Sequence, residues 1–422
     1  MTAKKGARRS RAAPREAAPG RPLQRRVYYV AGFDPASPKK YHRLYAEQSA
    51  RQGEITGVRY EIGELLPIDE ITTGWTVTAT HPDGRVVEVD YRFLHWFEGV
   101  REAWPKDNPA LFLKFFQALR DYHRSGLLER CRTDAKVAWY ASLSASIAAA
   151  IFLLALIVVV IAGMAAGGAL AGMLKAPWWL GAAPALLLLL LLMPAWRRFD
   201  AVVPLGWIGR GMIGVARAAR GLEPQFAERS REFARRLAAA ESEGGWDEIL
   251  VVAHSMGGQQ ACRALGQAVT LNPALGRLRR VRLLTLGSLL PFYSMTAAWA
   301  GGDPGWREEM RALVEADHIE WLDITAPADP GCAAALHPLL GLDLGERADR
   351  PQRRSPRFGA TLSPETLNRL RRTPLDYHFQ YIMAGERLGD YDFFALTAGP
   401  DPITGKPKPA KTKATKAKAT GG

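Results

Sequence analysis

The stretch ILVVAHSMGG at residues 249–258 decides the fold. It begins as an apolar run rich in β-branched residues and ends abruptly at Ser255, which small residues flank. Residues 259–267, which follow, are compatible with a helix. The pattern predicts a buried strand, a tight turn with the serine at its tip, and a helix. Ala253 and Gly257 are small enough to let strand and helix pass close together and to let Ser255 adopt a strained backbone.

The six residues Ala-His-Ser-Met-Gly-Gly resemble the nucleophile elbow of α/β-hydrolases, and of lipases and esterases in particular. Ala253 stands where the Gly-x-Ser-x-Gly pattern has its first glycine. The resemblance implies a sheet flanked by helices, with Ser255 as nucleophile and an acid and a histidine downstream in that order. Ordinary strand-to-helix turns also carry such short patterns, so the downstream residues decide between the two interpretations.

Two aspartates are candidates for the acid. Residues 319–324 form a late apolar strand, and Asp329-Pro330 follows it in the loop where this family places its acid, often in an Asp-Pro step. Asp323 alternates with apolar neighbours inside the strand, which is typical of a strand-end or solvent-facing carboxylate. We therefore predict Asp329 as the acid, with Asp323 as the alternative.

Two histidines follow Asp329 in the chain. His337 is only eight residues away, in a proline-flanked loop, whereas His378 lies near the end of the predicted fold, where this family places its base. A serine hydroxyl is a poor nucleophile until an imidazole takes its proton, and a buried carboxylate fixes the imidazole tautomer. We predict His378 as the base; a buried or capping structural histidine is the alternative.

The same chemistry requires an oxyanion hole. The resemblance implies one main-chain N–H after the nucleophile, at Met256, and one after the first core strand, at Phe33. The first strand, residues 26–34, ends in Gly32-Phe33, similar to the His-Gly-Phe loops of lipases with alanine in place of histidine. His254 occupies the variable position of the elbow and is predicted to pack rather than to react.

A long apolar region interrupts this pattern. No charged residue lies between positions 136 and 175, and residues 139–162 are long enough to span a bilayer. A stretch of small residues at 163–172 leads to a second apolar segment at 176–196, which contains seven consecutive leucines and tryptophans near its ends. Neither segment has a polar face. Together they predict a transmembrane helical hairpin at 136–198, inserted into the hydrolase fold.

The basic residues around the hairpin predict its orientation. Both flanks are basic, whereas the connecting loop carries only Lys175, so the positive-inside rule places both flanks in the cytoplasm. The first strand and the candidate triad have to join one sheet, which also requires an even number of crossings. We expect the catalytic part and both termini on the cytoplasmic face of a bacterial-type inner membrane. The flanking residues are Arg130, Arg132, Lys136, Arg197, Arg198, Arg210, Arg217 and Arg220.

Other features agree with a cytoplasmic catalytic domain. We expect no export signal, because no apolar stretch precedes the first strand. The three cysteines, Cys131, Cys262 and Cys332, lack the spacing of a disulfide framework or of a metal site. Neither a metal nor a cofactor is therefore expected.

The formal net charge of +14 resides at the two ends of the chain. Residues 1–26 hold nine Lys or Arg and one Glu, and residues 403–422 hold six Lys and no acid. We expect disordered tails that contact anionic lipid headgroups rather than nucleic acid. A basic, proline-containing loop at 347–357 is a candidate lid or lipid contact, although we favour a solvated insertion. The predicted segments are a basic tail (1–26), the first hydrolase part (27–135), the hairpin (136–198), the second hydrolase part with the triad (199–400) and a lysine-rich tail (401–422).

These residues predict a function. A serine, histidine and aspartate in this order imply hydrolysis of a carboxylic ester or thioester through an acyl-enzyme. A hydrolase held at the bilayer meets amphiphiles at high local concentration, so we expect an acyl-chain substrate from the inner leaflet. Two alternatives stay open: an acyltransferase that uses an alcohol or thiol acceptor, and a non-catalytic membrane scaffold with a hydrolase-like shape.

Overall fold

A nine-stranded sheet forms the centre of the fold. The computed structural model describes residues 21–105, 110–175, 205–344 and 350–400, together with 177, 182–188, 190 and 194. The strands are β1 (Leu23–Val30), β2 (Arg59–Ile62), β3 (Leu66–Asp69), β4 (Thr72–Thr80), β5 (Val86–Leu94), β6 (Glu248–His254), β7 (Arg280–Leu286), β8 (Glu320–Ile324) and β9 (Gln352–Arg354). They lie in the order β2-β4-β5-β1-β6-β7-β8-β9, and β3 pairs with β4.

Helices follow or precede most of these strands. The helices that precede β6 in the chain are α1 (Pro38–Thr56), α2 (Phe97–Ala103), α3 (Ala110–Arg124), α4 (Leu127–Asp134), α5 (Lys136–Met173), α6 (Leu205–Ala219) and α7 (Pro224–Glu243). Those after β6 are α8 (Gly257–Leu271), α9 (Leu290–Ala300), α10 (Gly305–Glu315), α11 (Phe358–Thr361), α12 (Pro364–Arg372), α13 (Pro374–Phe379) and α14 (Phe393–Ala398).

The sheet is mostly parallel. The strands from β5 through β1, β6, β7 and β8 to β9 run parallel, and the ladders of β4 with β2, β3 and β5 are antiparallel. Every residue of β6 is buried, because helices cover both faces of a parallel sheet. Ile249 and Val251 belong to the apolar core on one face, and Leu250 and Val252 to the core on the other. The chain therefore has the predicted α/β class, with a mostly parallel sheet flanked by helices.

The strand, turn and helix predicted at residues 249–267 are present. Strand β6 ends at His254 and helix α8 begins at Gly257. Ser255 lies between them with a φ of 56°, a left-handed conformation that is rare outside glycine. A Cβ atom at Gly257 would lie 2.4 Å from the carbonyl oxygen of Ala31, so only glycine fits against the end of β1. The close backbone approach inferred from the sequence is thus found in the structure.

Helix α5 is longer than the sequence predicted. We expected a membrane-spanning helix over 139–162, followed by a stretch of small residues, but α5 runs for 38 residues, from Lys136 to Met173. The helix continues through 163–172 because Ala, Gly, Met and Leu fill this stretch without proline or charge, and each glycine costs a helix only about 1 kcal/mol. By length and composition α5 can cross a membrane, and it is the single such helix in the part of the chain that the structure describes.

The second predicted span, 176–196, lies largely outside the described residues. Its described portion includes a helical piece at 183–188. A Cβ atom at Gly163 of α5 would lie 2.4 Å from the Cα atom of Ala185, so the two backbones touch at this point. Gly167 and Ala171, one and two turns further along α5, are also buried. This row of small residues is typical of closely packed helices in membranes.

The candidate lid is placed differently from the expectation. Residues 352–354 form β9, which pairs in parallel with β8 at the edge of the sheet. The N–H of Thr325 donates to the carbonyl oxygen of Arg354, 3.0 Å away, just beyond that ladder. A segment held by sheet hydrogen bonds is not a mobile cover, so the lid interpretation is wrong for this part. The predicted tails at 1–20 and 401–422, and residues 345–349, lie outside the described residues.

Candidate active site

Asp329 and His378 form a buried pair at the carboxyl end of the sheet. Asp329 lies in the loop after β8, and His378 lies in α13. The Nδ1 atom of His378 is 2.8 Å from Oδ2 of Asp329, and both side chains are fully buried. The other carboxylate oxygen accepts the main-chain N–H of Gly331 at 2.7 Å. Because an ionised carboxylate only accepts, Nδ1 carries the proton and Nε2 is left as the basic nitrogen.

The surroundings keep Asp329 charged. Burial alone would raise the pKa of this carboxyl group, but the neighbouring His378 and the hydrogen bonds from His378, Gly331 and Tyr381 outweigh it. The net result is a pKa below the ordinary value for aspartate. An ionised Asp329 fixes the tautomer of His378 and favours a positive charge on its ring.

Ser255 directly follows His254, whose ring packs on that of His378, and it lies next to the end of β1. A Cβ atom at Gly32 would lie only 2.9 Å from Cβ of Ser255, so the chain after β1 passes directly over the serine. Ser255 lines a pocket together with Gly331, the residue whose N–H donates to Asp329. Among the described residues, Nε2 of His378 is buried and has no hydrogen-bond partner. This nitrogen is therefore available to take a proton.

His254 supports the histidine from behind. Its ring packs on the ring of His378 with centroids 4.8 Å apart, and its Nε2 atom lies 2.9 Å from the carbonyl oxygen of His378. Because a carbonyl only accepts, His254 is the donor of this bond. Burial, and then the proximity of His378, lower the pKa of His254 to about 3. His254 therefore packs, as its position in the sequence suggested, and its neutral ring donates to the backbone of His378.

The alternative acid and base are located elsewhere. Asp323 is buried in β8, where one carboxylate oxygen accepts the hydroxyls of Thr285 and Ser288 at 2.6 and 2.9 Å. It is therefore neither solvent-facing, as its strand pattern suggested, nor bonded to a histidine. His337 accepts the main-chain N–H of Leu339 through Nδ1 at 3.2 Å. Of the two candidate acids, the structure places Asp329 in hydrogen-bond contact with His378.

The two candidate oxyanion donors belong to the two segments that meet at Ser255. Phe33 follows Gly32 at the end of β1, and Met256 is the residue after the serine. Neither main-chain N–H donates to another group among the described residues. Both residues are buried, and the ring of Phe33 packs against Gly214 of α6. The two N–H groups can therefore serve an oxygen atom bound at the serine.

The sequence did not predict two neighbours of His378, Gly331 and Trp207. A Cβ atom at Gly331 would lie 2.5 Å from Nδ1 of His378, so a side chain there would displace the imidazole. The glycine directly after Asp329-Pro330 was the only local signal for this role. Trp207, at the start of α6, has its ring 5.4 Å from the ring of His378. It follows the second apolar segment, and no short motif links that position to the triad.

A narrow pocket with a cavity volume of about 50 Å³, partly open to solvent, lies beside Ser255. Its wall is largely apolar and contains no charged side chain among the described residues that form it. Part of this wall comes from α5 and α6. The lining residues are Phe33, Tyr122, Ala141, Ser142, Trp207, Ile208, Gly211, Met212, Val215, Ser255, Leu289, Phe292, Pro330 and Gly331.

No metal site accompanies this pocket in the described part of the chain, where no three His, Cys, Asp or Glu side chains group closely enough to hold an ion. Comparison with known proteins gives no match to a family model, to a curated protein or to a solved structure.

Asp323 gives a testable pH dependence. Burial raises its pKa to about 6, despite the hydroxyls of Thr285 and Ser288, whereas an unfolded aspartate titrates near 3.9. Between these values the folded protein holds a proton that the unfolded chain releases, so stability falls as the pH rises from about 4 to about 6. We expect the melting temperature to fall more between pH 5 and pH 7 in the natural protein than in Asp323→Asn.

The matched control is Asp376→Asn, at an exposed position. Thermal melts of the detergent-solubilised protein measure the effect. An identical pH response in Asp323→Asn and in the natural protein would contradict the raised pKa.

Proposed function

We propose that this protein is a membrane-held serine hydrolase of the α/β-hydrolase type, which cleaves a carboxylic ester or thioester through an acyl-enzyme. One observation carries the proposal: buried Asp329 holds His378 through Nδ1, and the ring of His378 packs on His254, the residue before a serine in a left-handed strand-to-helix turn. Ser255 also shares its pocket with Trp207 and Gly331, the two neighbours of His378, which favours the arrangement that nucleophilic catalysis by serine requires.

The proposed reaction has two halves. Nε2 of His378 takes the proton of the Ser255 hydroxyl while Oγ attacks the carbonyl carbon of the substrate. The tetrahedral intermediate places its negative oxygen against the N–H groups of Phe33 and Met256. The intermediate expels the alcohol or thiol, which leaves with the proton from His378. Water then attacks the acyl-enzyme with His378 again as base, and the acid and free Ser255 result.

The electrostatics of the site support this sequence of steps. His378 becomes positively charged during each half, and the ionised Asp329 stabilises that charge. His254, whose pKa lies at about 3, stays neutral against the same ring and adds no competing positive charge. The pair therefore favours the imidazolium that the mechanism needs.

Residues 136–198 serve, in this proposal, as a membrane hairpin. Strand β1 precedes the segment and β6 follows it, yet the two pair in parallel within one sheet. If α5 crosses the bilayer, the chain has to cross back before β6, and the second apolar segment is the stretch that can do so. The contact of Gly163 with Ala185 supports two adjacent helices. The basic flanks favour a cytoplasmic hydrolase, and the basic tails are suited to anionic lipid headgroups.

The nucleophile is tested directly. A fluorophosphonate should modify Ser255, and Ser255→Ala should abolish both labelling and ester hydrolysis, because the proposed mechanism has no other nucleophile. The loss in kcat should be about 10⁴-fold or more. Mass spectrometry of the labelled peptide and turnover of p-nitrophenyl esters measure it. Undiminished hydrolysis by Ser255→Ala would refute the assignment.

The acid and base are tested by matched pairs. Asp329→Asn should lower kcat by about 10⁴-fold, since the amide favours the wrong tautomer of His378, and His378→Ala should be at least as damaging. Asp323→Asn and His337→Ala are the controls and should retain most of the activity. If Asp323→Asn or His337→Ala were inactive while Asp329→Asn remained active, the assignment of acid and base would be wrong.

Topology is tested with reporters. A reporter fused after residue 400 should signal the cytoplasm, and one inserted at Lys175, between α5 and the second apolar segment, should signal the opposite side. Green fluorescence and alkaline phosphatase activity provide complementary readouts in a bacterial host. Reporters that both signal the same side would exclude the hairpin.

A further inference from the structure

The pocket beside Ser255 is built partly from the membrane helix itself. Ala141 and Ser142 of α5 line it, opposite residues of α6 such as Ile208 and Met212. Ser142 is only 4% exposed and turns its hydroxyl back to the carbonyl oxygen of Ala138, 2.9 Å away. The pocket therefore receives a wall from the helix that is proposed to anchor the protein, and not from the hydrolase core alone.

This wall lies where α5 begins to expose apolar surface. Lys136 is the last charged residue before the apolar run, and Ser142 is six residues further along, or about 9 Å of helix. Near Ser142 along the helix, the largely apolar residues Tyr140 and Leu143 are 62% and 38% exposed. Such surface on a long apolar helix is suited to lipid, so the pocket lies close to the proposed membrane boundary.

Helix α3 adds a second apolar surface at the same place. It packs against α6, which in turn packs against α5. Its residues Leu113 and Phe116 remain 61% and 38% exposed. Exposed aromatic and aliphatic side chains on an amphipathic helix beside a membrane-spanning helix are typical of contact with the headgroup and acyl boundary. The bilayer is thus placed next to α3, α5 and α6, the helices that surround the pocket.

The pocket wall matches a hydrocarbon chain. Two of its polar side chains are internally bonded: Ser142 as described, and Tyr122 through its hydroxyl to the carbonyl oxygen of Met212 at 2.5 Å. The described lining contains no charge that could recognise an ionic acyl group. Each methylene buried in such a wall increases binding about fourfold, which favours longer acyl chains.

We propose that α5 forms a wall of an acyl-chain pocket and that the substrate is a lipid ester presented by the bilayer. The inference rests on the proposed serine hydrolase function and names its substrate class. The acyl chain lies between α5 and α6 with its ester carbonyl at Ser255, and the chain enters from the side that faces the membrane. The membrane segment then selects the substrate as well as holding the enzyme in place.

Two serines on α5 provide a matched test. Ser142 lines the pocket, whereas Ser144 is exposed and turned by about 200° around the helix, and both hydroxyls donate to a helix carbonyl at 2.9 Å. Purified full-length protein in detergent is assayed with p-nitrophenyl laurate and p-nitrophenyl butyrate. We expect the natural protein to prefer laurate, and Ser142→Phe to lower the laurate-to-butyrate ratio of kcat/KM by at least about tenfold. Ser144→Phe should keep the natural ratio.

A second variant covers the case in which Ser142→Phe fails to fold. Gly211 lines the pocket, and a Cβ atom there would meet no atom within 4 Å, so Gly211→Leu adds volume without a backbone clash. It should lower the same ratio. A natural preference for butyrate, or a laurate-to-butyrate ratio unchanged by Gly211→Leu, overturns the pocket assignment.

The source of the acyl chain is tested separately. The protein is reconstituted in vesicles of phosphatidylethanolamine and phosphatidylglycerol, and released fatty acid is measured. Release that disappears in Ser255→Ala supports a bilayer substrate, whereas hydrolysis of p-nitrophenyl laurate without release from vesicles overturns it. Fluorophosphonate labelling of Ser255 distinguishes these failures: labelling with the wrong chain preference refutes the pocket alone, and absence of labelling refutes the hydrolase proposal itself.

Discussion

The parallel hydrogen bonding between β1 and β6 constrains the rest of the structure. All of the apolar region lies between these strands in the chain, yet six residue pairs, from Arg25 with Glu248 to Val30 with Ala253, hold them side by side. The pairing brings the loop after β1 over Ser255 and leaves room only for glycine at position 257. Because the strands are parallel, the chain has to run from the carboxyl end of β5 back to the amino end of β6, and α5 and α6 lie on this connection and line the pocket beside Ser255.

The candidate site holds one buried charge, on Asp329, and surrounds it with uncharged groups. Asp329 remains ionised although it is buried, because His378 and the N–H of Gly331 compensate for the loss of water. Around this pair the structure places a neutral histidine, the ring of Trp207 and an apolar pocket wall. In such low-dielectric surroundings, a change of charge on His378 has a large effect on a bound carbonyl group.

Local patterns predicted the elbow because its determinants are contiguous: an apolar strand, Ser255 and the glycine at 257 act within ten residues. Asp329 and His378 were found because each follows a recognisable element in a fixed order. The roles of Trp207 and Gly331 depend on distant packing, which periodicity does not encode. The end of α5 was misplaced because small residues are compatible with both a loop and a tightly packed helix.

If α5 crosses a bilayer, as proposed, its length couples the pocket to the thickness of the membrane. Its 38 residues extend for about 57 Å, whereas the hydrocarbon core measures about 30 Å, so an inserted α5 has to tilt or project beyond the lipid. Ala141 and Ser142 of α5 line the pocket together with residues of α6. In the proposed enzyme, a thinner or thicker bilayer would change the tilt of α5 and with it the width of the pocket, so that lipid composition would influence substrate selectivity.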